Sequence, residues 1–258
     1  MMAARHTRFR SRAALALLVA GMLALGGCST LKGWFGGRSD GSLEPAKLTP
    51  VTQQVEVQRM WTVQVGGGEG TLGARQAPAV SGNRVFAAAV EGGVVALDLQ
   101  SGQQAWRHES DLPLSGGPGV GDGLVVVGSL EGDVVALDAE TGTLRWTAEV
   151  DNEVLAAPVI GQGVVLVRSI DGRLTAFAQD SGNRVWFWER ETPMLSVRGT
   201  GAPLLAPGFA FVGSDDGTLS AISLADGRLL WEQTIAAPEG RTELDRMADI
   251  DGAPALDG

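Results

Sequence analysis

The feature that most constrains the fold of this chain is an eleven-residue pattern that occurs four times. The four copies are ALDLQSGQQAW at 96–106, ALDAETGTLRW at 136–146, AFAQDSGNRVW at 176–186 and AISLADGRLLW at 221–231. Each copy ends in a tryptophan, and a further tryptophan precedes the first copy. The five residues are Trp61, Trp106, Trp146, Trp186 and Trp231, at intervals of 45, 40, 40 and 45 residues. Repetition near this period is typical of proteins built by stacking one structural unit many times.

Each repeat contains segments for about four short strands. A small-residue–proline dipeptide opens the repeat in APAV at 77–80, GPGV at 117–120, APVI at 157–160 and APLL at 202–205. We expect an early strand to end at this dipeptide, two apolar strands to follow, and the last strand to carry the tryptophan. Runs such as VVAL and VVLV are apolar at consecutive positions, which indicates strands that are buried on both faces. Together with the glycine-bearing turns between them, this pattern predicts an all-β fold, a β-propeller of four-stranded blades.

The register of the repeats indicates about four whole blades and two partial ones. MWTVQV around Trp61 matches the last strand of a blade, and GAPALDG at 252–258 repeats the beginning of another. We therefore expect this sequence to continue beyond residue 258, as the N-terminal part of a chain of roughly 380 residues that forms an eight-bladed ring. An open arc of blades would have exposed faces that are prone to association.

The first 55 residues have a different character. Residues 1–12 carry four arginines and no acid, and residues 13–27 form an apolar run of 15 residues, too short to span a bilayer. We expect a signal peptide at 1–27, a tether rich in Gly, Ser and Pro at 28–55, and the propeller at 56–258.

The sequence LGGC ends at Cys28, the only cysteine of the chain. It resembles a bacterial lipobox, which implies cleavage before Cys28 and attachment of lipid, including palmitate, to that residue. Several acyl chains give stable anchoring to a membrane. Ser29 stands where an aspartate would signal retention in the inner membrane, so the resemblance implies the outer membrane, facing the periplasm. An ordinary signal peptide with an incidental cysteine is the alternative.

Charge and residue inventory argue against several function classes. The formal net charge is −10, which disfavours binding to nucleic acid. The two histidines, His6 and His108, stand far apart, and D-x-D at 249–251 is too little for a calcium site. Motifs of serine hydrolases, P-loop proteins and zinc sites are absent from the sequence. We therefore predict a protein that is not an enzyme and uses neither cofactor nor metal.

The repeated A-x-D-x-x-T-G-x-x-x-W resembles the tryptophan-docking motif of propellers that bind pyrroloquinoline quinone. In that motif the tryptophan stacks on the next blade and Thr-Gly forms the turn, so its role is architectural. Quinoprotein dehydrogenases share in addition a vicinal cysteine pair and a calcium site with a catalytic aspartate, which this sequence lacks. A quinone-dependent periplasmic dehydrogenase relative remains the alternative function. A glycan-binding propeller is a third, and it would need exposed aromatic residues. We expect Trp188 to pack beside Trp186 rather than to bind a ligand.

Two stretches resemble the BamB family, the lipoprotein scaffold of the outer-membrane β-barrel assembly machinery. MLSVRGTGAP at 194–203 is similar to that family's L-S-L-R-G-x-S-A-P loop, and RTELDRMADIDGAP at 241–254 to its E-L-x-R-x-x-D-x-D-x-x-P segment. The resemblance implies a scaffold that binds the periplasmic domains of a BamA-like barrel protein, with unfolded outer membrane proteins as further candidate partners. It implies a contact surface formed by Leu195, Val197, Arg198, Asp249 and Asp251. Two alternatives stay open: the aspartates pair with Arg198 inside the propeller, or the two apolar residues pack in the core.

Overall fold

The structure is a computed structural model, and it describes residues 54–67, 76–196, 201–242, 244–250 and 252–256. These residues contain sixteen β-strands and no helix, arranged as four antiparallel sheets of four strands each. It follows that the described ranges hold no helix with the length and hydrophobicity needed to cross a membrane. The predicted all-β propeller architecture with four-stranded blades is confirmed.

Each sheet corresponds to one sequence repeat, and its strands follow one another along the chain. Blade 1 comprises β1 (Ala79–Ser81), β2 (Arg84–Ala89), β3 (Gly93–Asp98) and β4 (Gln104–His108). Blade 2 comprises β5 (Leu114–Gly121), β6 (Leu124–Ser129), β7 (Asp133–Asp138) and β8 (Leu144–Glu149). Blade 3 comprises β9 (Val159–Gly161), β10 (Val164–Arg168), β11 (Arg173–Ala178) and β12 (Arg184–Glu189). Blade 4 comprises β13 (Leu204–Ala206), β14 (Phe209–Gly213), β15 (Thr218–Ser223) and β16 (Leu229–Thr234).

The hydrophobic core lies between successive blades. One cluster joins Phe86 and Val94 of blade 1 to Val125 and Leu137 of blade 2, and equivalent clusters join blade 2 to blade 3 and blade 3 to blade 4. The two central strands of a blade therefore have both faces covered, as every residue of β6 shows. This explains their unbroken apolar sequence.

The prediction that the first strand ends at the small-residue–proline dipeptide is wrong. In three blades the strand begins immediately after it, at Ala79, Val159 and Leu204. In blade 2 the strand runs through Pro118, but its pairing with β6 is interrupted between Ser115 and Gly119. The physical reason is that proline lacks an N–H group and cannot donate to the strand ladder.

The segment around Trp61 forms no strand within residues 54–66, and only Gly67 makes a bridge, to Glu91. It is held in place by Arg107, whose Nη1 donates to the carbonyls of Val65 and Gly92, each at 2.9 Å. The prediction that MWTVQV at 60–65 forms the outermost strand of a blade is therefore wrong. The Trp61 indole nevertheless donates a hydrogen bond to the carbonyl of Leu99 in blade 1.

Because neighbouring strands are antiparallel, every blade has two different ends. We call one the turn rim: it carries the turns between the first and second strands, such as 122–123, and between the third and fourth, such as 139–143. We call the other the transition rim: it carries the turns between the second and third strands and the connections from one blade to the next.

Candidate functional site

The repeated tryptophan joins each blade to the next. The indole Nε1 donates to a backbone carbonyl one repeat further along: Trp61 to Leu99 at 3.0 Å, Trp106 to Ala139 at 3.1 Å, Trp146 to Gln179 at 2.9 Å and Trp186 to Leu224 at 2.8 Å. Each ring lies on a turn glycine with φ between 69° and 72°, where an added Cβ would come within 2.5–2.8 Å of a ring atom: Gly102, Gly142, Gly182 and Gly227. The role of the repeated motif is therefore structural: it holds each blade against the next.

The aspartate of the motif shapes the turn that receives the indole. Asp138 Oδ1 accepts hydrogen bonds from the backbone N–H of Glu140 and from both the N–H and the hydroxyl of Thr141. The Thr141 hydroxyl is the foremost of the contacts that lower the pKa of Asp138, because they all favour the carboxylate.

Two other tryptophans differ from the docked ones. Trp231 is 46% exposed and its ring centroid lies 5.6 Å from that of Phe211. Trp188 is partly buried and packs against the core cluster between blades 3 and 4, so the expectation that it packs is confirmed.

The transition rim is elaborated next to blades 3 and 4. From tryptophan to the following blade's proline, blades 1 and 2 use 12 positions (Trp106 to Pro118, Trp146 to Pro158), whereas blade 3 uses 17 (Trp186 to Pro203) and blade 4 uses 23 (Trp231 to Pro254). We call residues 190–203 the first long connection and residues 235–250 the second. Both stretches singled out in the sequence lie in or at the end of these two connections.

The first long connection presents apolar side chains to solvent. Met194 is 96% exposed and Leu195 is 45% exposed. Packing of Leu195 in the core is therefore not what the structure shows. Val197, Arg198 and Asp251 lie outside the described residues, as does Cys28, and Asp249 is partly buried.

The second long connection is tied to blade 4 at both ends. The N–H groups of Ile235 and Ala236 donate to the carbonyl of Gly217 at 2.8 and 3.1 Å, and the N–H of Ile250 donates to the carbonyl of Ser214 at 3.3 Å. The last contact reproduces the bond from Val154 N–H to Ser129 in the earlier repeat. Ile250 thus takes the place that Val154 has at the entry to blade 3.

Between these ends, the second connection makes one capped turn. Thr242 N–H donates to Asp245 Oδ2 at 3.2 Å, and Asp245 N–H donates to the Thr242 hydroxyl at 3.1 Å, a reciprocal pair like that of a capping box. These contacts with Thr242 lower the pKa of Asp245. The turn holds Leu244 outwards, where it is 72% exposed.

A buried ion pair lies beneath the two connections. Arg168 of blade 3 and Asp215 of blade 4 have side chains 3% and 6% exposed, with Nη2 and Oδ1 3.5 Å apart. Arg168 Nη1 also donates to the carbonyl of Gly201, at the end of the first connection, at 3.2 Å. The pair joins blades 3 and 4 to each other and, through Gly201, to the end of the first long connection.

Sequence reasoning missed this pair, although the aligned repeats contain its signal. Arg168 stands where Gly128 and Gly213 stand in blades 2 and 4, and Asp215 stands where Leu130 and Ile170 stand in blades 2 and 3. An arginine and an acid in adjacent repeats, each replacing a small or apolar residue, could have indicated a contact between blades.

A second arginine fixes the start of the first connection. Arg190 Nε donates to Asp216 and Arg190 Nη1 to Glu232, both at 2.7 Å. Burial disfavours the charge of this guanidinium, but the hydrogen bonds that it donates to Glu232 and Asp216 outweigh that effect and raise the pKa of Arg190.

The chemistry available at this site is that of a contact surface. It offers exposed apolar side chains on two connections whose ends are held by ion pairs, one of them buried, and by backbone hydrogen bonds. Across the described ranges, no group of three or more His, Cys, Asp or Glu side chains is arranged to hold a metal ion. Large apolar side chains are among the features that protein interfaces use as anchors.

Comparison with known proteins agrees with this architecture. A family model described as outer membrane protein assembly factor BamB matches residues 53–113 and 91–258. The outer membrane protein assembly factor BamB of Xanthomonas campestris pv. campestris is 52% identical over 95% of this chain and 63% of its own length. That of Pseudomonas aeruginosa is 49% identical over 94% of this chain and 62% of its own length. The chain thus spans about three fifths of the length of these curated relatives.

Among solved structures, BamB from Moraxella catarrhalis superposes with a TM-score of 0.66 and 29% sequence identity. The superposition covers 70% of this chain and 55% of that one.

Proposed function

The chain belongs to the BamB family of outer membrane protein assembly factors, and from that premise we propose that it is a non-enzymatic scaffold in the assembly of β-barrel proteins at the outer membrane. In this proposal the protein binds the periplasmic domains of the machinery's BamA-like barrel subunit. Unfolded outer membrane proteins are further candidate partners.

The contact surface in this proposal is the pair of long connections on the transition rim. Leu195 is the central anchor, with Val197, Arg198, Asp249 and Asp251 as the remaining contacts. The observation that carries the proposal is the 45% exposure of Leu195, on a connection whose end is held by buried Arg168 through the carbonyl of Gly201. Fixing the end of the connection in the free protein lowers the conformational entropy lost on binding.

The site is tested by measuring the affinity of the protein for the isolated periplasmic domains of the barrel subunit. Leu195→Ala is expected to weaken binding by about thirtyfold or more, because an anchor residue at the centre of an interface contributes about 2 kcal/mol. Leu144→Ala is the matched control, since Leu144 is 53% exposed on a different edge of the propeller. Unchanged affinity for Leu195→Ala, or equal losses for both variants, contradicts the proposed surface.

The absence of enzymatic activity is tested separately. The mature protein is titrated with pyrroloquinoline quinone and calcium while reduction of a dye is followed. We expect neither saturable binding nor dye reduction. Tight binding together with dye reduction would overturn the scaffold proposal in favour of a quinone-dependent dehydrogenase.

The membrane location in this proposal depends on Cys28. Lipid on Cys28 would anchor the protein to the outer membrane, and residues 28–55 would connect that anchor to the propeller. Cys28→Ser is expected to prevent lipidation, which is followed by metabolic labelling with radioactive palmitate. Without the lipid, the protein should be released from membranes. Continued labelling of the variant would exclude Cys28 as the attachment site.

A further inference from the structure

Two neighbouring junctions on the turn rim differ in one decisive residue. At the junction of blades 1 and 2, Arg84 extends from β2 across to the turn of blade 2. Its Nη1 donates to the carbonyls of Ala139 and Glu140 at 3.0 and 2.7 Å, and its Nη2 contacts Glu140 Oε1 at 2.5 Å. The carbonyl of Ala139 also accepts the indole N–H of Trp106. The guanidinium of Arg84 thus bonds the backbone and the side chain of the blade 2 turn at this junction.

The junction of blades 2 and 3 has the same acceptors without the donor. Leu124 occupies the repeat position of Arg84, and an apolar side chain cannot donate a hydrogen bond. Gln179, whose carbonyl accepts the indole N–H of Trp146, stands at the position of Ala139, and Asp180 at that of Glu140. A carbonyl oxygen has two lone pairs, so that of Gln179 retains one acceptor site.

A cavity of about 610 Å³ lies at this junction, lined by Asp122, Leu124, Arg145, Gly163, Gln179 and Asp180. In the part of the chain that the structure describes, the carboxylates of Asp122 and Asp180 make no hydrogen bond or ion pair. Arg145 is the one cation among the lining residues, and its Nε lies 4.0 Å from Asp138 Oδ2, beside the cavity.

We propose that this cavity is a binding site for the guanidinium group of an arginine side chain that a protein partner supplies. The ligand would take the place that Arg84 fills at the preceding junction, donating to the carbonyls of Gln179 and Asp180 and to the Asp180 carboxylate. Guanidinium is favoured over ammonium because its planar fork of donors can bond several oxygens at once. An acidic chain also attracts a basic partner.

This site is separate from the surface proposed for the barrel subunit. It lies on the turn rim, whereas the two long connections lie on the transition rim, at the opposite end of the blades. A protein with both sites could hold two partners at the same time. The existence of the cavity site does not depend on the identity of the partner at the transition rim.

The test uses the intact protein with ¹⁵N-labelled tryptophan and follows the indole N–H resonances by NMR. The probe is N-acetyl-arginine amide, and N-acetyl-citrulline amide is the uncharged control of similar shape. The arginine probe is expected to shift the Trp146 resonance saturably and to leave that of Trp106, beside the filled junction, unchanged. Citrulline should bind about three- to tenfold more weakly, because the charge-assisted bonds are lost at a solvent-accessible site.

Three variants sharpen the result. Asp180→Asn should weaken the arginine probe by about three- to tenfold, and Arg145→Ala should tighten it, since it removes the competing cation. Leu124→Arg should abolish the shift by filling the cavity from within. Leu124 is only 5% exposed, so the other two variants decide the question if this one does not fold.

The proposal is overturned by the absence of a saturable shift at Trp146, by equal affinity for the citrulline probe, or by affinity that is insensitive to Asp180→Asn and Arg145→Ala. None of these measurements uses the barrel subunit. Their outcome is therefore independent of whether the protein binds the barrel subunit.

Discussion

Replacing Gly182 by alanine should destabilise the propeller through the tryptophan that docks on it. Gly182 has φ +70°, and an ideal Cβ there would lie 2.6 Å from Cε3 of Trp146 and 2.7 Å from Cδ2. Gly163 is the matched control, because it has φ +83° but nothing lies within 4 Å of its Cβ position. Both substitutions place a side chain in the left-handed region, and only one of them meets a ring.

The expected magnitudes follow from these two contributions. An L-residue other than glycine costs about 1–2 kcal/mol in the left-handed region, which is the whole expected effect for Gly163→Ala. Gly182→Ala adds about 1–3 kcal/mol for overpacking, because the Trp146 ring must move away and strain its 2.9 Å hydrogen bond to Gln179. The difference between the two variants should therefore be about 1–3 kcal/mol.

The measurement is equilibrium unfolding in urea, with the midpoints compared at an unchanged m-value. The same glycine substitutions are then made in the Trp146→Ala background. That change alone should cost about 3–5 kcal/mol. Without the ring, Gly182→Ala should cost no more than Gly163→Ala. Equal costs in the parent protein, or a difference that persists without the ring, would refute the docking account of the repeat.

Three other predictions concern single positions. Trp231→Ala in this 258-residue chain should cost less than about 2 kcal/mol, against about 3–5 for a docked tryptophan, because its ring is 46% exposed; calorimetry of the two variants measures this. The folded-state pKa of Asp138 is below its ordinary value of 3.8. The contribution of its carboxylate to folding stability is therefore complete above pH 3.8 and is lost as pH falls through the folded-state pKa. Because Thr141→Ala removes the main cause of the lowered pKa, acid unfolding of this variant should begin at a higher pH than in the parent protein. Arg168→Met should cost about 3–5 kcal/mol because Asp215 loses a buried counter-charge, and adding Asp215→Leu should restore most of it in urea unfolding; additive losses would mean that the two charges are not coupled.

The sequence alone was enough to predict the blade architecture. A turn glycine and a tryptophan recur in each of the four repeats, and each acts on neighbours within about one repeat. The tryptophan of one repeat and the turn of the next are brought together by the same local contacts every time, as at Trp146 and Gly182. Regular spacing therefore indicated the number of strands in a repeat, and the resemblance to the tryptophan-docking motif implied the manner in which the blades join. The resemblance of two short stretches then indicated the BamB family.

The tertiary structure decided what the repeat obscures. The hydrophobic pattern does not indicate on which side of the small-residue–proline dipeptide the first strand of a blade lies. That position depends on which backbone groups form hydrogen bonds with the second strand. The Arg168–Asp215 pair joins residues 47 positions apart, and its meaning appears only when two blades are packed together. Likewise, Leu124 looks like an ordinary core residue until the Arg84 junction shows what its position can hold. Contacts that repeat are encoded locally, whereas contacts made once depend on which segments the packed blades bring together.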